Sequence, residues 1–141
     1  MVPGRFVDAA LWFPEAGESE PFGPQALVYK VAGQKMFALL RGGGDAEGTA
    51  VVNLKCDPGL ALELRARFPD VTPGYHMNKE HWNSVLLDGT VPDEEILEML
   101  RHSYVLVARS LRRADRDRVL AALGEDMPPL YEGPEQSSEG V

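Results

Sequence analysis

The residues best equipped for chemistry are crowded into TPGYHMNKEHWNSVLLDG, Thr72 to Gly89, which holds two histidines, two asparagines, a lysine, a tyrosine and a tryptophan. Imidazoles bind metals and move protons, carboxamides donate and accept hydrogen bonds together, and a lysine meets phosphate as a point charge. A metal centre needs three or four convergent ligands, but only His76 and His81 are expected as neighbours, with no acid or cysteine between them on their face. A nucleophilic site is no better provided. Ser84 is expected to point inward, Ser103 to lie near the packing face of a long helix, and the single cysteine, Cys56, has no assigned histidine partner. His102 sits on that same helix, and nothing in the sequence places it or Cys56 beside the hairpin. Most of the acids fall on helix faces, turns or the C-terminal tail, so no pair of carboxylates is set up for acid and base work. The pattern motivates no enzymatic chemistry, metal or cofactor and points instead to a protein that binds.

Taken as a hairpin with Lys79-Glu80 as its two turn residues, the stretch would pair Asn78 with His81, Met77 with Trp82, His76 with Asn83 and Tyr75 with Ser84. Strand alternation then puts Tyr75, Met77, Trp82, Ser84 and Leu86 on a core face. His76, Asn78, His81 and Asn83 fall on a polar face, with Lys79 at the tip. A one-residue slip of register would exchange the two faces. A polar ribbon of this kind either meets solvent, the usual fate of an outward sheet face, or enters a nucleic-acid groove with cations at its edge.

The elements that must position this hairpin are readable along the chain. Phe6, Ala9, Ala10 and Phe13 give Arg5 to Phe13 a helical stripe that Pro14 ends. A polar link, EAGESEPFGP, leads to two β-rich runs, ALVYKVA and KMFALLR, around a tight turn at Gly33-Gln34. RGGGDAEG reads as a loop before a third strand, TAVVNLK, because neither a Walker motif nor GxGxxG is present. Asp57-Pro58 is a capping acid followed by proline at the first helical position, and Pro69 stops that helix. Pro92 with Asp93, Glu94 and Glu95 opens the longest helix, whose stripe runs through Ile96, Leu97, Leu100, Tyr104, Val107 and Leu111. A short helix from Asp115 to Leu123 ends at Gly124. The order α-βββ-α-ββ-αα predicts an α+β domain over residues 1–123, with one mostly antiparallel sheet covered by helices on one face. Residues 124–141 read as an acidic, flexible tail.

With 141 residues and 44% apolar content, the chain has the size of one domain able to fold without disulfides. The solitary cysteine, the absence of a signal-like start and the lack of a long apolar run predict a cytoplasmic protein with no membrane partner. The net charge of −8 is unfavourable for nucleic acid, but five of the acids lie beyond Gly124, where there is no Lys or Arg. The one basic region is Arg101, Arg109, Arg112, Arg113, Arg116 and Arg118, interrupted by Asp115 and Asp117. It reads as a solvated helix face or as a phosphate-contacting patch.

Four blocks carry a family resemblance: VYKVAGQKMFALL (28–40), VNLKCDP (52–58), FPDVTPGYHMNKEHWNSVLLDGTVPDEEI (68–96) and HSYVLVARSL (102–111). Together they make the chain resemble the MmcQ/YjbR proteins of bacteria. The resemblance implies a CyaY/YjbR-like fold, similar to frataxin and also described as a double-wing domain, and DNA binding argued from that wing-like architecture. It carries no catalytic residue set. Of the positions matching its motif, Trp82, Ser103 and Tyr104 look like packing residues, while Lys55, His76, Asn78, Lys79 and Asn83 could meet a ligand. The expectation is therefore a non-enzymatic module that binds DNA weakly and in a salt-dependent way. Lys79, Arg109, Arg112, Arg113 and Arg116 would touch phosphates, and His76, Asn78, His81 and Asn83 would approach bases or sugars. A protein-interaction or regulatory module with no nucleic-acid affinity is the alternative, and metal or small-molecule binding a third.

Overall fold

A computed structural model of the chain describes residues 1–42 and 50–129. Its elements are α1 (Pro3–Trp12), β1 (Ala16–Ser19), β2 (Ala26–Val31), β3 (Lys35–Gly42), β4 (Ala50–Lys55), α2 (Pro58–Arg67), β5 (Val71–Pro73), β6 (Trp82–Leu86), α3 (Asp93–Arg109) and α4 (Arg113–Leu123). The six strands form one antiparallel sheet in the order β1-β2-β3-β4-β6-β5. This is the expected α+β class with one added strand. β1 arises inside the polar link, where AGES pairs along β2 from Ala16 opposite Val31 to Ser19 opposite Val28. The glycine-rich loop expected at 41–48 and the tail expected at 124–141 fall largely on residues outside the described ones.

Local chemistry explains the boundaries. The Asp57 carboxylate caps α2 by accepting from the Gly59 and Leu60 amides at 3.1 and 3.3 Å, with Pro58 at the first helical position. Asp93, Glu94 and Glu95 occupy the first turn of α3 and Arg109 the last, so each end of the helix dipole meets the opposite charge. The β2–β3 turn lies one residue earlier than expected. Ala32 and Gly33 both have positive φ, 53° and 65°, and the Gln34 amide bonds the Val31 carbonyl at 3.0 Å. Positive φ at both central residues is the mark of a turn whose twist matches the flanking strands.

One face of the sheet and the buried faces of all four helices make a single apolar cluster. At its centre Tyr104 of α3 stacks on Phe13 at 4.7 Å and meets the edge of Phe37 at 5.1 Å, while its hydroxyl donates to the Pro14 carbonyl at 2.7 Å. A bulge lets β3 contribute two consecutive residues to this core. Tyr29 pairs with Ala38 and Lys30 with Met36, which leaves Phe37 as the extra residue. Ser103 hydrogen-bonds both that bulge and the end of β4, donating to the Phe37 carbonyl at 2.6 Å and accepting from the Lys55 amide at 2.8 Å. Among the described residues no helix is long and apolar enough to cross a membrane.

Candidate functional site

The end of the sheet where β2, β4 and β5 finish and β3 and β6 begin gathers several unrelated segments. Lys35 at the start of β3 donates to the Ser110 carbonyl and hydroxyl at 3.0 and 3.1 Å, fixing the C-terminus of α3 there. Gln34 reaches Asp115 of α4 at 2.9 Å. The Cys56 amide donates to the His81 carbonyl at 2.8 Å and brings in the loop between β5 and β6. Lys55, Lys79, Arg109, Arg112 and Arg113 therefore come from four chain segments to one end of the molecule. Among the described residues none of these five makes an ion pair within 4.0 Å, whereas Arg116 pairs with Asp117 at 3.2 Å. Arg118 is held by Glu15 at 2.6 Å and by Asp115 at 2.9 Å. That guanidinium holds the Glu15 carboxyl below its ordinary range, and Gln34 followed by Arg118 does the same for Asp115.

The hairpin differs from its expected register. Val71 pairs with Val85, Thr72 with Ser84 and Pro73 with Asn83, leaving residues 74–81 as a loop. A two-residue turn at Lys79-Glu80 would require positive φ at Lys79 or at both residues, which neither favours. The positive φ of this segment falls instead on His76, at 59°. The displacement is three residues, an odd number, so the faces exchange. Asn83 and Val85 turn toward the helices, while Trp82, Ser84 and Leu86 line the other face.

Buried polar groups explain this choice. Asn53 is fully buried, accepts from Ser84 Oγ at 2.6 Å and donates from Nδ2 to the Tyr75 carbonyl at 3.1 Å. Ser84 Oγ in turn accepts from the Tyr75 amide at 3.0 Å. Turning Ser84 to the helix side would leave Asn53 without that donor. Gly74 is required where the loop leaves β5: a Cβ there would lie 2.7 Å from Trp82 Cβ and 3.0 Å from the Trp82 carbonyl oxygen. Tyr75, expected in the core, is 55% exposed. It lies between the His76 ring, 3.9 Å away, and the Arg41 guanidinium, 4.9 Å away.

His76, Asn78, Lys79 and His81 are all exposed on the loop. Asn78 is engaged in shaping it, accepting from the Glu80 and His81 amides at 2.9 and 3.3 Å. Lys79 folds back to donate to the Gly74 carbonyl at 3.2 Å. Asn83 does not join them. It is 2% exposed, and Arg65 Nε donates to its Oδ1 at 2.7 Å. Arg65 Nη2 also donates to the Lys79 and Trp82 carbonyls, so one guanidinium ties α2 to the loop and to β6. Nothing in the hairpin signalled Arg65, because its partners lie 14 to 18 residues away.

Cys56 and His102, which the sequence left unplaced, come near the second strand of the hairpin. Both line a cavity of about 240 Å³ between α2, α3 and the sheet, with Asn83 and Val85 on its sheet side. Burial pushes the Cys56 thiol up to about 11, so it stays protonated at neutral pH and is a poor nucleophile. His102 Nε2 accepts from the Asp57 amide at 3.1 Å, which requires the neutral ring with its proton on Nδ1. Burial lowers its pKa from 6.5, with Asp57 opposing and Arg109 assisting. The unfolded chain therefore takes up this proton first. Stability is expected to be full above about pH 6.5 and to fall as pH drops below it. His102→Gln should flatten that part of the profile, which urea midpoints at about pH 7.5 and 5.5 would measure. An unchanged slope would show that the ring titrates alike in both states.

A wider groove of about 400 Å³ lies between α1 and the start of α3. Its Arg5 and Asp93 already pair at 3.6 Å. Among the described residues no three of His, Cys, Asp and Glu come together in a metal-holding group.

A model of the YjbR family matches residues 11–106. The uncharacterised protein YbdF of Escherichia coli O157:H7 is 36% identical over 99 residues, 70% of this chain and 78% of that protein. The uncharacterised protein YjbR of Escherichia coli K12 is 41% identical over 69 residues, 49% of this chain and 56% of its own length. Among solved structures, Deinococcus radiodurans protein DR2400, a DUF419 domain, superposes with a TM-score of 0.73 at 37% identity, covering 82% of this chain and 86% of that one. A Pseudomonas syringae protein gives 0.66 at 32% identity, covering 76% and 99%. The match extends from the end of α1 through most of α3, including the loop at 74–81 and the cavity beside it, and the chain belongs to the YjbR family.

Proposed function

We propose that the protein is a non-enzymatic DNA-binding module of the cytoplasm that docks through the end of the sheet bearing Lys55, Lys79, Arg109, Arg112 and Arg113. The observation that carries this reading is the convergence there of five cations without ion pairs, in a chain whose net charge is −8. An acidic protein attracts DNA only where its positive charges are gathered and its acids are occupied. Here Asp115 and Asp117 are neutralised by Arg118 and Arg116. Glu80 remains on the loop as an opposing charge.

The β2–β3 turn and the 74–81 loop act as the two wings. β2 and β6 lie three strand spacings apart, about 14 Å, comparable to a major groove about 12 Å wide. Exposed His76 and His81 and the free donors of Asn78 are the groups left to face bases or sugars. Asn83 is withdrawn from that role because it is buried, and Arg116 is weakened in it by Asp117.

The test is fluorescence anisotropy of a labelled mixed-sequence duplex between about 50 and 200 mM salt. Engagement of five phosphates predicts a slope of log affinity against log salt of about −4 to −5. Undetectable binding at low salt, or affinity unchanged by salt, would overturn the reading and leave a protein partner as the ligand of this surface.

A further inference from the structure

We propose that the 240 Å³ cavity between α2, α3 and the sheet binds a small neutral molecule with an apolar body and one carbonyl-type acceptor oxygen. Leu54, Leu64, Val85 and Met99 are buried and give it apolar walls, and half-buried Leu60 stands at its edge. A core cavity of about 150 Å³ accommodates benzene. This one is partly open to solvent and has room for a molecule somewhat larger, on the order of ten non-hydrogen atoms.

The polar requirement comes from Asn83. Arg65 Nε can only donate, so its 2.7 Å contact fixes Oδ1 toward Arg65 and leaves Nδ2 with both hydrogens. That nitrogen is buried and has no hydrogen-bond partner. A buried donor without an acceptor is costly, and most are paired. The cavity that the side chain lines is the open space from which an acceptor for it would enter.

The surroundings select a neutral acceptor over a carboxylate. Glu95 and Glu98 also line the cavity, and the Arg67 guanidinium is engaged by Glu95 at 2.8 Å. The lone pair of His102 Nε2 is already used by the Asp57 amide. With Lys55 and Arg67 facing Glu95 and Glu98 the charges of the lining already balance, so a buried ligand carboxylate would add an uncompensated charge. A ketone, ester or amide oxygen would meet the Asn83 amide alone.

The probes are acetophenone and ethylbenzene, which share an apolar body and differ in the carbonyl. Each is titrated into the ¹⁵N-labelled full chain and followed by NMR. Acetophenone is expected to give saturable shifts at the Asn83 side-chain amide, and ethylbenzene to bind at least tenfold more weakly. Leu60→Trp, which enlarges a half-buried side chain at the cavity's edge, should abolish the acetophenone shifts in a protein whose remaining spectrum is unchanged. Asn83→Leu should reduce acetophenone binding to the level of ethylbenzene. If Asn83→Leu fails to fold for loss of the Arg65 contact, the probe pair and Leu60→Trp decide the matter. No saturable shift up to about 10 mM, equal affinity for the two probes, or shifts that survive Leu60→Trp would each overturn the proposal.

Discussion

Arg65→Met is expected to lower the unfolding free energy by about 3 kcal/mol. The figure follows from charged hydrogen bonds worth about 1.5–3 kcal/mol each, which are not additive around one guanidinium. The change removes the donor to Asn83 Oδ1 and to the Lys79 and Trp82 carbonyls. Methionine keeps much of the aliphatic stem, so the loss reports the head group. Asn83 is 2% exposed, and its oxygen would be left without a partner as its nitrogen already is. Urea unfolding followed by tryptophan fluorescence measures the effect, and a change under about 0.5 kcal/mol would show that water replaces the guanidinium at little cost. The same variant should also weaken duplex binding if the 74–81 loop is a wing, because the loop loses its tie to α2.

The second large effect is expected from the double reversal Arg112→Glu and Arg113→Glu. Both side chains are exposed and neither has an ion pair among the described residues, so the stability cost should stay within about 0.5 kcal/mol. Duplex affinity at about 100 mM salt should fall by tenfold or more, and the salt slope should flatten by about two units as two phosphate contacts are lost. Loss of affinity with an unchanged slope would point to a contact other than phosphate. No loss at all would remove the α3–α4 junction from the interface. Reversal of Arg118 is no substitute, because it breaks the contact to Glu15 that holds α4 against the start of β1.

Much of the fold was legible because its signals are local. Asp57-Pro58 announces α2, and the acids after Pro92 together with the stripe from Ile96 to Val107 announce α3, each within one or two turns of chain. β1 escaped because its residues are intermediate or exposed, so what makes it a strand is pairing to β2 and not any alternation of its own. The hairpin register escaped for a related reason. It is decided by Asn53, 31 residues from the Ser84 that it bonds, and by the close approach of Gly74 to Trp82. The cations of the proposed interface were legible by type. Their meeting at one sheet end became visible only when Lys35, Gln34 and Cys56 were seen to join α3, α4 and the loop to it. The cavity was not legible, since Cys56, Asn83 and His102 become neighbours only after α2 and α3 have packed on the same face.

The strand order also divides the molecule by how readily its parts let go. β6 lies between β4 and β5, so the three residues of β5 have one ladder, to β6, while β2, β3 and β4 are each paired on both sides. The amides of Val71 and Thr72 should therefore exchange with solvent well before those of the central strands. Release of β5 would add its length to the 74–81 loop and detach Gly74 from Trp82 without disturbing the aromatic cluster around Tyr104. The chain thus carries, at the corner that bears Lys79, a segment that can open and close in partial unfolding events far cheaper than loss of the whole fold.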